Sequence, residues 1–359
     1  MKKICFVDYD MAVTGGAEQV TASLANELCK KYEVYIYSIN DTANIVYDLD
    51  KRIHYYKELK GITRLRQMIT GVFLPFCKLI KKEKIDTVIM MGNYPALIVS
   101  ACRFFTKAKF IYCDHGALMN QWHQKDVTLI RLWNSIIAHK VITLTEQTKA
   151  DYIRKFHLKE SKVQCIYNWI DPKVLKINRP YELEAKSILT VGRFGKEKGY
   201  DLLLEVAKKV LPEHKDWQWH LYGSGETFED TKKEIQKAGL DKQLILKGNV
   251  KDVYKLFNDY AFVVLTSYRE GLPLVLLEAS ACGLPMVSFN VMTGPNEIIT
   301  DGVNGRLIKP YDCDKMADCI NELIDNKEQR KELSEGTTIC LEKFSYERIL
   351  KEWEKLLDM

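Results

Sequence analysis

The chain has 359 residues, 47% of them hydrophobic and 28% charged, with a formal net charge of +5. These are the proportions of a soluble globular protein long enough for two domains, and no apolar run reaches the ~18 residues of a membrane span. Ten scattered cysteines form no Cys-x-x-Cys pair, which points to a reducing compartment and argues against a structural zinc site. The charge is uneven: residues 51–84 hold ten Lys and Arg against two Glu, a local +8 that leaves −3 elsewhere. The opening MKKICFVDYD has too short an apolar run for a signal peptide, so a cytoplasmic protein is expected.

In chain order, KICFVD (3–8) reads as a first strand and Glu18–Tyr32 as a helix with Val20, Leu24 and Leu28 on one face. Between them, Thr14-Gly15-Gly16-Ala17-Glu18 lets backbone approach a ligand at the strand's C-terminal end, where open α/β sheets bind ligands. It is not the dinucleotide fingerprint, since Gly-x-Gly-x-x-Gly is absent. Further strands are expected at 34–39, 86–91, 109–113 and 140–145. They alternate with helical patterns, the mark of a doubly wound parallel sheet. Residues 62–84 mix Arg64, Arg66, Lys78, Lys81 and Lys82 with Phe73, Leu74 and Phe76. Such a segment can lie on an anionic membrane, and it reads equally as an ordinary helix with a solvated basic face, interrupted near Pro75. Asp114-His115-Gly116 follows the strand KFIYC at another ligand-binding edge. Asn168 to Pro172 ends the first half, and the polar residues 172–186 read as a linker.

The second half restarts with SILTVG (187–192), followed by a Gly-bounded loop with Arg193 and Lys198, a cationic clamp suited to a diphosphate. A helix is expected over Leu202–Val210, with strands at 217–223 and 243–248. Gly223 and Gly225 end the first of these, where small residues admit a nucleotide. The buried run AFVVLTS then leads into Tyr268-Arg269-Glu270-Gly271-Leu272-Pro273 and a helix that closes at Gly283. The helix start gathers free N–H groups where a phosphate could sit. Glu278 lies about 7–8 Å along the axis from Pro273, a distance suited to a ribose diol, while Glu270 at the mouth can accept from a second polyol. In the tail, Ile349, Leu350, Trp353, Leu356 and Leu357 fall on one helical stripe.

Glu270-Gly-Leu-Pro, Glu278-Ala and Cys282-Gly-Leu-Pro, with Gly192-Arg193…Lys198-Gly199, resemble the signature of glycosyltransferase family 4. The resemblance is dense in the second half and rests in the first on Gly15-Gly16, Asp114-His115 and Asn168. It implies an α/β protein of the GT-B fold: two facing Rossmann-like doubly wound domains, a cleft between them, and a C-terminal helix crossing back. The expected division is an acceptor domain at 1–172, a donor domain at 173–342 and the helix at 343–359. The implied reaction is retaining transfer of a hexose or N-acetylhexosamine from a nucleotide sugar, UDP-linked by family frequency. Its acceptor would be a saccharide, lipid-linked, in polysaccharide assembly.

On that resemblance Arg193 and Lys198 hold phosphate, Glu270 touches the transferred sugar and His115 stands beside it. Gly15, Gly16, Gly223, Gly225, Asn249, Val250, Gly271, Leu272, Pro273 and Glu278 would hold the donor, with Asn249-Val250 at the base. No cofactor and no metal are expected. Asp8-Tyr9-Asp10 has the Asp-x-Asp spacing of metal sites in the other major transferase fold, and here it is read as incidental. Expected partners are the two substrates and an anionic membrane surface through residues 51–84, with no nucleic acid; such docking would place the protein on the inner face of the cell membrane. The rivals are an epimerase, a phosphorylase or a non-catalytic binder of sugar nucleotides. The first needs a base at C2 and the second a pyridoxal-binding lysine motif, and neither is seen. The retained glutamates, Arg193 and Lys198 argue against the third.

Overall fold

The computed structural model describes every residue except Thr14, Asp41, Thr63 and Asn178. It divides into two compact units, Met1–Tyr167 with Glu354–Met359, and Asn168–Trp353. The sequence reading places the boundary after Pro172; Asn168–Pro172 instead opens the second unit, where Ile170 N–H donates to Phe344 O at 2.9 Å.

The first unit is built on seven parallel strands: β1 (Lys3–Asp8), β2 (Glu33–Asn40), β3 (His54–Leu59), β4 (Thr87–Met91), β5 (Lys109–Asp114), β6 (Lys140–Thr143) and β7 (Val163–Cys165). Their order is β3-β2-β1-β4-β5-β6-β7. The apolar runs of β1, β4 and β5 are buried on both faces because helices cover the sheet on each side. At the edge, β3 has only exposed and half-buried residues, and the sequence reading does not mark it as a strand. The helix Leu65–Glu83 runs through Pro75 without a break, a correction to the expected interruption. It buries Met68, Val72, Phe76, Leu79 and Ile80, leaves Phe73 half-buried and exposes Leu74.

The second unit has six parallel strands: β8 (Ser187–Val191), β9 (Gln218–Tyr222), β10 (Leu244–Gly248), β11 (Phe262–Leu265), β12 (Met286–Phe289) and β13 (Gly305–Ile308), in the order β10-β9-β8-β11-β12-β13. Its core gathers Trp219, Phe262, Val264 and Leu221 with Leu203, Val206 and Val210 of the helix Tyr200–Val210. The buried Trp219 indole finds its partner in Thr190 Oγ1 at 3.0 Å.

The terminal helix Tyr346–Asp358 begins in this unit, with Tyr346 edge-on to Trp169. Its last residues count with the first unit, where Asp358 accepts from Lys31 Nζ at 2.9 Å and Tyr32 OH at 2.8 Å. All ten cysteines are buried and none forms a disulfide. Among the described residues, no helix is long and apolar enough to cross a membrane.

Candidate functional site

Both sheets reverse strand order next to their first strand, and ligands of open α/β sheets bind in the crevice at that switch, outside the carboxyl ends of the strands. In the second unit the switch lies between β8 and β11. The loop after β8 carries Arg193 and Lys198; the loop after β11 carries Glu270.

Lys198 Nζ and Glu270 Oε1 are 2.8 Å apart, with side chains 23% and 7% exposed. The same Oε1 accepts from Ser267 Oγ at 2.6 Å. The carboxylate is therefore held by a cation on one loop and a hydroxyl on its own. Arg193 reaches Glu197 Oε1 at 2.7 Å and is more than half exposed. Burial opposes ionisation of Glu197, but Arg193 beside it holds the carboxyl below its ordinary value.

Backbone packing fixes these loops on one another. Gly199 has φ +64°, and a Cβ there would lie 2.1 Å from Thr266 O. Gly223 has φ +138°, and its Cβ would fall 1.9 Å from Gly192 O. Neither position admits a side chain. Phe194 N–H donates to Ser224 O at 2.9 Å and Gly223 N–H to Gly248 O at 2.8 Å, so the ends of β8, β9 and β10 are laced together. Gly225 packs on Phe194, while Asn249 and Val250 stand exposed beyond β10. On the other side Thr293 Oγ1 donates to Glu270 O at 2.9 Å, and Gly294 packs against Gly271 O and Pro273.

Pro273 is the N-cap of the helix Leu274–Ala281, which therefore starts just after the proline and not with it in the first turn, and Leu272 is buried just before it. Glu278 sits half-buried in this helix, and Gly283, at φ +73°, follows its C-cap Cys282. In this unit Arg193, Glu270, Gly223, Gly225, Asn249, Val250, Gly271, Leu272 and Pro273 lie in loops after the strands, and Lys198 lies in the 3-10 turn Lys196–Lys198. Ser267 was not singled out from sequence. Its signal was available, a serine three residues ahead of a glutamate, the spacing by which hydroxyl and carboxylate meet in capping boxes.

In the first unit Gly15 caps the helix Gly16–Leu28 in an extended conformation. It is tied to Tyr47, whose hydroxyl accepts from Gly15 N–H at 3.0 Å and donates to Gly15 O at 2.9 Å. Thr14 lies outside the described residues. Both carboxylates of the Asp-x-Asp are used locally. Asp8 accepts from Thr21 Oγ1 at 2.6 Å and Tyr9 N–H at 2.7 Å; Asp10 accepts from Thr42 Oγ1 at 2.6 Å and Ala12 N–H at 3.0 Å. Burial pushes the Asp8 carboxyl up to about 6. Among the described residues, no group of three His, Cys, Asp or Glu side chains is placed to hold a metal ion.

His115 follows β5, half-buried, with a solvent-inaccessible Nε2 that has no hydrogen-bond partner among the described residues. Burial pushes its imidazole down to about 4, so the ring is neutral near pH 7. Beneath it Asp114 accepts from Arg131 Nε at 2.8 Å, Tyr152 OH at 2.6 Å and Gly116 N–H at 2.9 Å. Arg131 and Asp114 are both fully buried. No local pattern announces this pair, because its members lie on separate elements.

Two family models match consecutive stretches: Glycosyltransferase Family 4 over residues 14–174 and Glycosyl transferases group 1 over residues 176–338. The amylovoran biosynthesis glycosyltransferase AmsD of Erwinia amylovora is 26% identical, with all of both chains covered. An enzyme of Campylobacter jejuni, named as an N-acetylgalactosamine-N,N'-diacetylbacillosaminyl-diphospho-undecaprenol 4-alpha-N-acetylgalactosaminyltransferase, is 25% identical over 92% of each chain. The solved structure of Anabaena Alr3699/HepE in complex with UDP-glucose superposes with a TM-score of 0.84 at 19% identity, covering 100% of both chains, and shows the same fold. With one model on each half and the GT-B architecture in both units, the chain belongs to glycosyltransferase family 4 and is a glycosyltransferase.

Proposed function

We propose that the protein transfers a hexose or N-acetylhexosamine, with retention, from a UDP-sugar to a lipid-linked saccharide in the assembly of a polysaccharide. The observation that carries this reading is the meeting of Lys198, Glu270 and Ser267 at the switch point of the second sheet. A diphosphate drawn to Lys198 and Arg193 leaves Glu270 to accept from hydroxyls of the transferred sugar, held at its angle by Ser267. Positive charge fixed in advance stabilises the charge that grows on the departing nucleotide, and no metal is required for it. The leaving phosphate oxygen takes the acceptor's proton on the face it has just vacated. Glu278 holds the ribose, and Asn249-Val250 meets the base.

The relatives supply the substrate classes. The Campylobacter enzyme is named for a diphospho-undecaprenol acceptor and an alpha linkage, and the Anabaena protein was solved in complex with UDP-glucose. An α-linked product from an α-linked nucleotide sugar requires retention. The basic stretch 51–84 would face the anionic membrane that carries such an acceptor, with the protein on the cytoplasmic side.

The test is a thermal-unfolding screen of UDP-, GDP- and ADP-sugars, since a ligand at a hundred times its dissociation constant adds about 2.7 kcal/mol. Turnover of the stabilising donor with undecaprenyl-diphosphate saccharides then follows. Selective protection by one UDP-sugar, with an α-linked product, is expected. No protection by any nucleotide sugar would overturn the reading.

A further inference from the structure

The helix Lys125–Ile137 is inside out. Its buried face carries Arg131, Asn134 and Ser135 beside Val127 and Ile137, while Leu129, Trp133 and Ile136, spaced to share one face, point to solvent. A surface helix ordinarily hides its apolar stripe and exposes its polar one.

The stripe does not stand alone. Trp133 Nε1 donates to Ser100 Oγ at 3.0 Å, and Arg103 donates to Ile137 O, which docks the 3-10 turn Ser100–Phe105 on this helix. That turn exposes Phe104 and Phe105, and Phe105 packs edge-on to Phe73 of the helix Leu65–Glu83 at 5.5 Å between ring centres. Leu74 stands next to Phe73 and is exposed. These six side chains are between 41% and 65% exposed on elements that touch in sequence of contact. A patch of this kind on a soluble protein marks an interaction surface.

Charge selects the partner. Lys78, Lys81 and Lys82 project from the exposed face of the helix Leu65–Glu83, and Lys107 follows Phe105, all exposed. The acids on these elements are Glu83, which pairs with Lys82 Nζ at 3.3 Å, and Asp126. A two-fold contact with a second copy would bring this basic rim against itself. An anionic lipid surface complements it, takes up the apolar side chains, and suits a tryptophan whose N–H is already satisfied.

We propose that Leu129, Trp133, Ile136, Phe104, Phe105 and Leu74 enter the interface of an anionic bilayer, with Lys78, Lys81 and Lys107 on its headgroups. The proposal takes its purpose from the lipid-linked acceptor reading and its physical basis from this surface alone. The apolar contact is then supplied mainly by residues outside 51–84, whose own Phe76 is buried.

The experiment is co-sedimentation of the full chain with phosphatidylglycerol-containing vesicles and with pure phosphatidylcholine vesicles, at low and high salt. Wild type is expected to pellet with the anionic vesicles, less so as salt rises. Phe104→Ser with Leu129→Ser and Ile136→Ser should lower that partitioning about ten-fold or more. Lys78→Glu with Lys81→Glu should abolish the preference for anionic lipid. Thermal unfolding and protection by the donor serve as controls and should not change in either variant. Wild type left in the supernatant at low salt, or serine variants that pellet like wild type, would overturn the proposal. So would a wild-type dimer that these variants convert to monomer without any lipid binding. Each of these outcomes leaves the transferase reading standing if donor protection persists, whereas loss of donor protection in wild type strikes that reading alone.

Discussion

Lys198 Nζ and Glu270 Oε1 close on each other at 2.8 Å across the switch point of the second sheet, so each residue is the other's counter-ion. A phosphate that competes for the ammonium therefore also changes what the carboxylate can accept. The two roles are linked through a single contact.

Lys198→Ala is expected to lower kcat/KM by about 10²–10³-fold, the scale of losing one preorganised transition-state donor. It also leaves a buried carboxylate with Ser267 as its remaining partner, which should cost about 1–3 kcal/mol of stability. Steady-state kinetics and urea unfolding measure the two effects. Wild-type turnover in this variant would remove Lys198 from the mechanism.

Glu278→Gln should raise the donor KM by about ten-fold with kcat little changed, while Glu270→Ala should lower kcat by about 10²-fold. The split follows from their places. Glu278 lies within the helix Leu274–Ala281, and Glu270 lies in the loop before it, paired with Lys198. Unaltered constants in both variants would end the assignment.

Transfer should survive excess chelator. Arg193 and Lys198 supply positive charge at the diphosphate, and the carboxylates of Asp8 and Asp10 are already committed to Thr21, Tyr9, Thr42 and Ala12. Loss of activity in chelator, restored by manganese, would reverse this expectation.

The pH dependence of stability separates two buried groups of the first unit. His115, pushed down to about 4 from an ordinary 6.5, binds its proton more readily in the unfolded chain, so its contribution is present above pH 6.5 and is lost as pH falls. Asp8, pushed up to about 6 from 3.8, binds its proton more readily when folded, so its contribution is present at low pH and is lost as pH rises through 6. Between pH 4 and 6 the two slopes oppose each other. His115→Gln removes one of them. The stability difference between wild type and variant should therefore change by about 1–3 kcal/mol from pH 7 to pH 4.5, in the direction that favours the variant in acid. Denaturant unfolding of the first unit at both values checks it, and a difference independent of pH would contradict the buried neutral ring.

Arg131→Met should destabilise the first unit by about 3–5 kcal/mol, because Asp114 would remain buried without its cation. Adding Asp114→Asn should recover part of that loss. A double variant whose loss equals the sum of the losses of Arg131→Met and Asp114→Asn would show that the pair is not coupled.

Several strands with long buried apolar runs were legible from the sequence, although the short strands Val163–Cys165, Met286–Phe289 and Gly305–Ile308 were not marked. KICFVD, DTVIMM, KFIYC and AFVVLTS read as parallel-sheet strands because both faces of each are covered, and that burial leaves an unbroken apolar run. The strand β3 was not legible. HYYKEL lies on an edge, and its pairing to β2 is made by backbone that leaves no mark on side-chain type. The same contrast holds at the site. Arg193, Lys198 and Glu270 sit in short loops and turns, and Glu278 within the helix that follows, so spacing along the chain carries much of their geometry. Asp114, Arg131 and Tyr152 meet only because β5 and two later helices converge, and Lys198 finds Glu270 through the strand order.

The terminal helix has a consequence for how the chain is made. Lys31 and Tyr32 are synthesised early, yet Asp358, which they hold, follows Tyr32 by 326 residues. During translation the first seven strands can assemble while these two side chains still lack their carboxylate. Residues 1–167 on their own are therefore an unfinished body, and a nick at residue 168 would leave two fragments of which the second still carries part of the first. Mixing the separate fragments should restore native unfolding behaviour only when the later one retains Glu354–Met359.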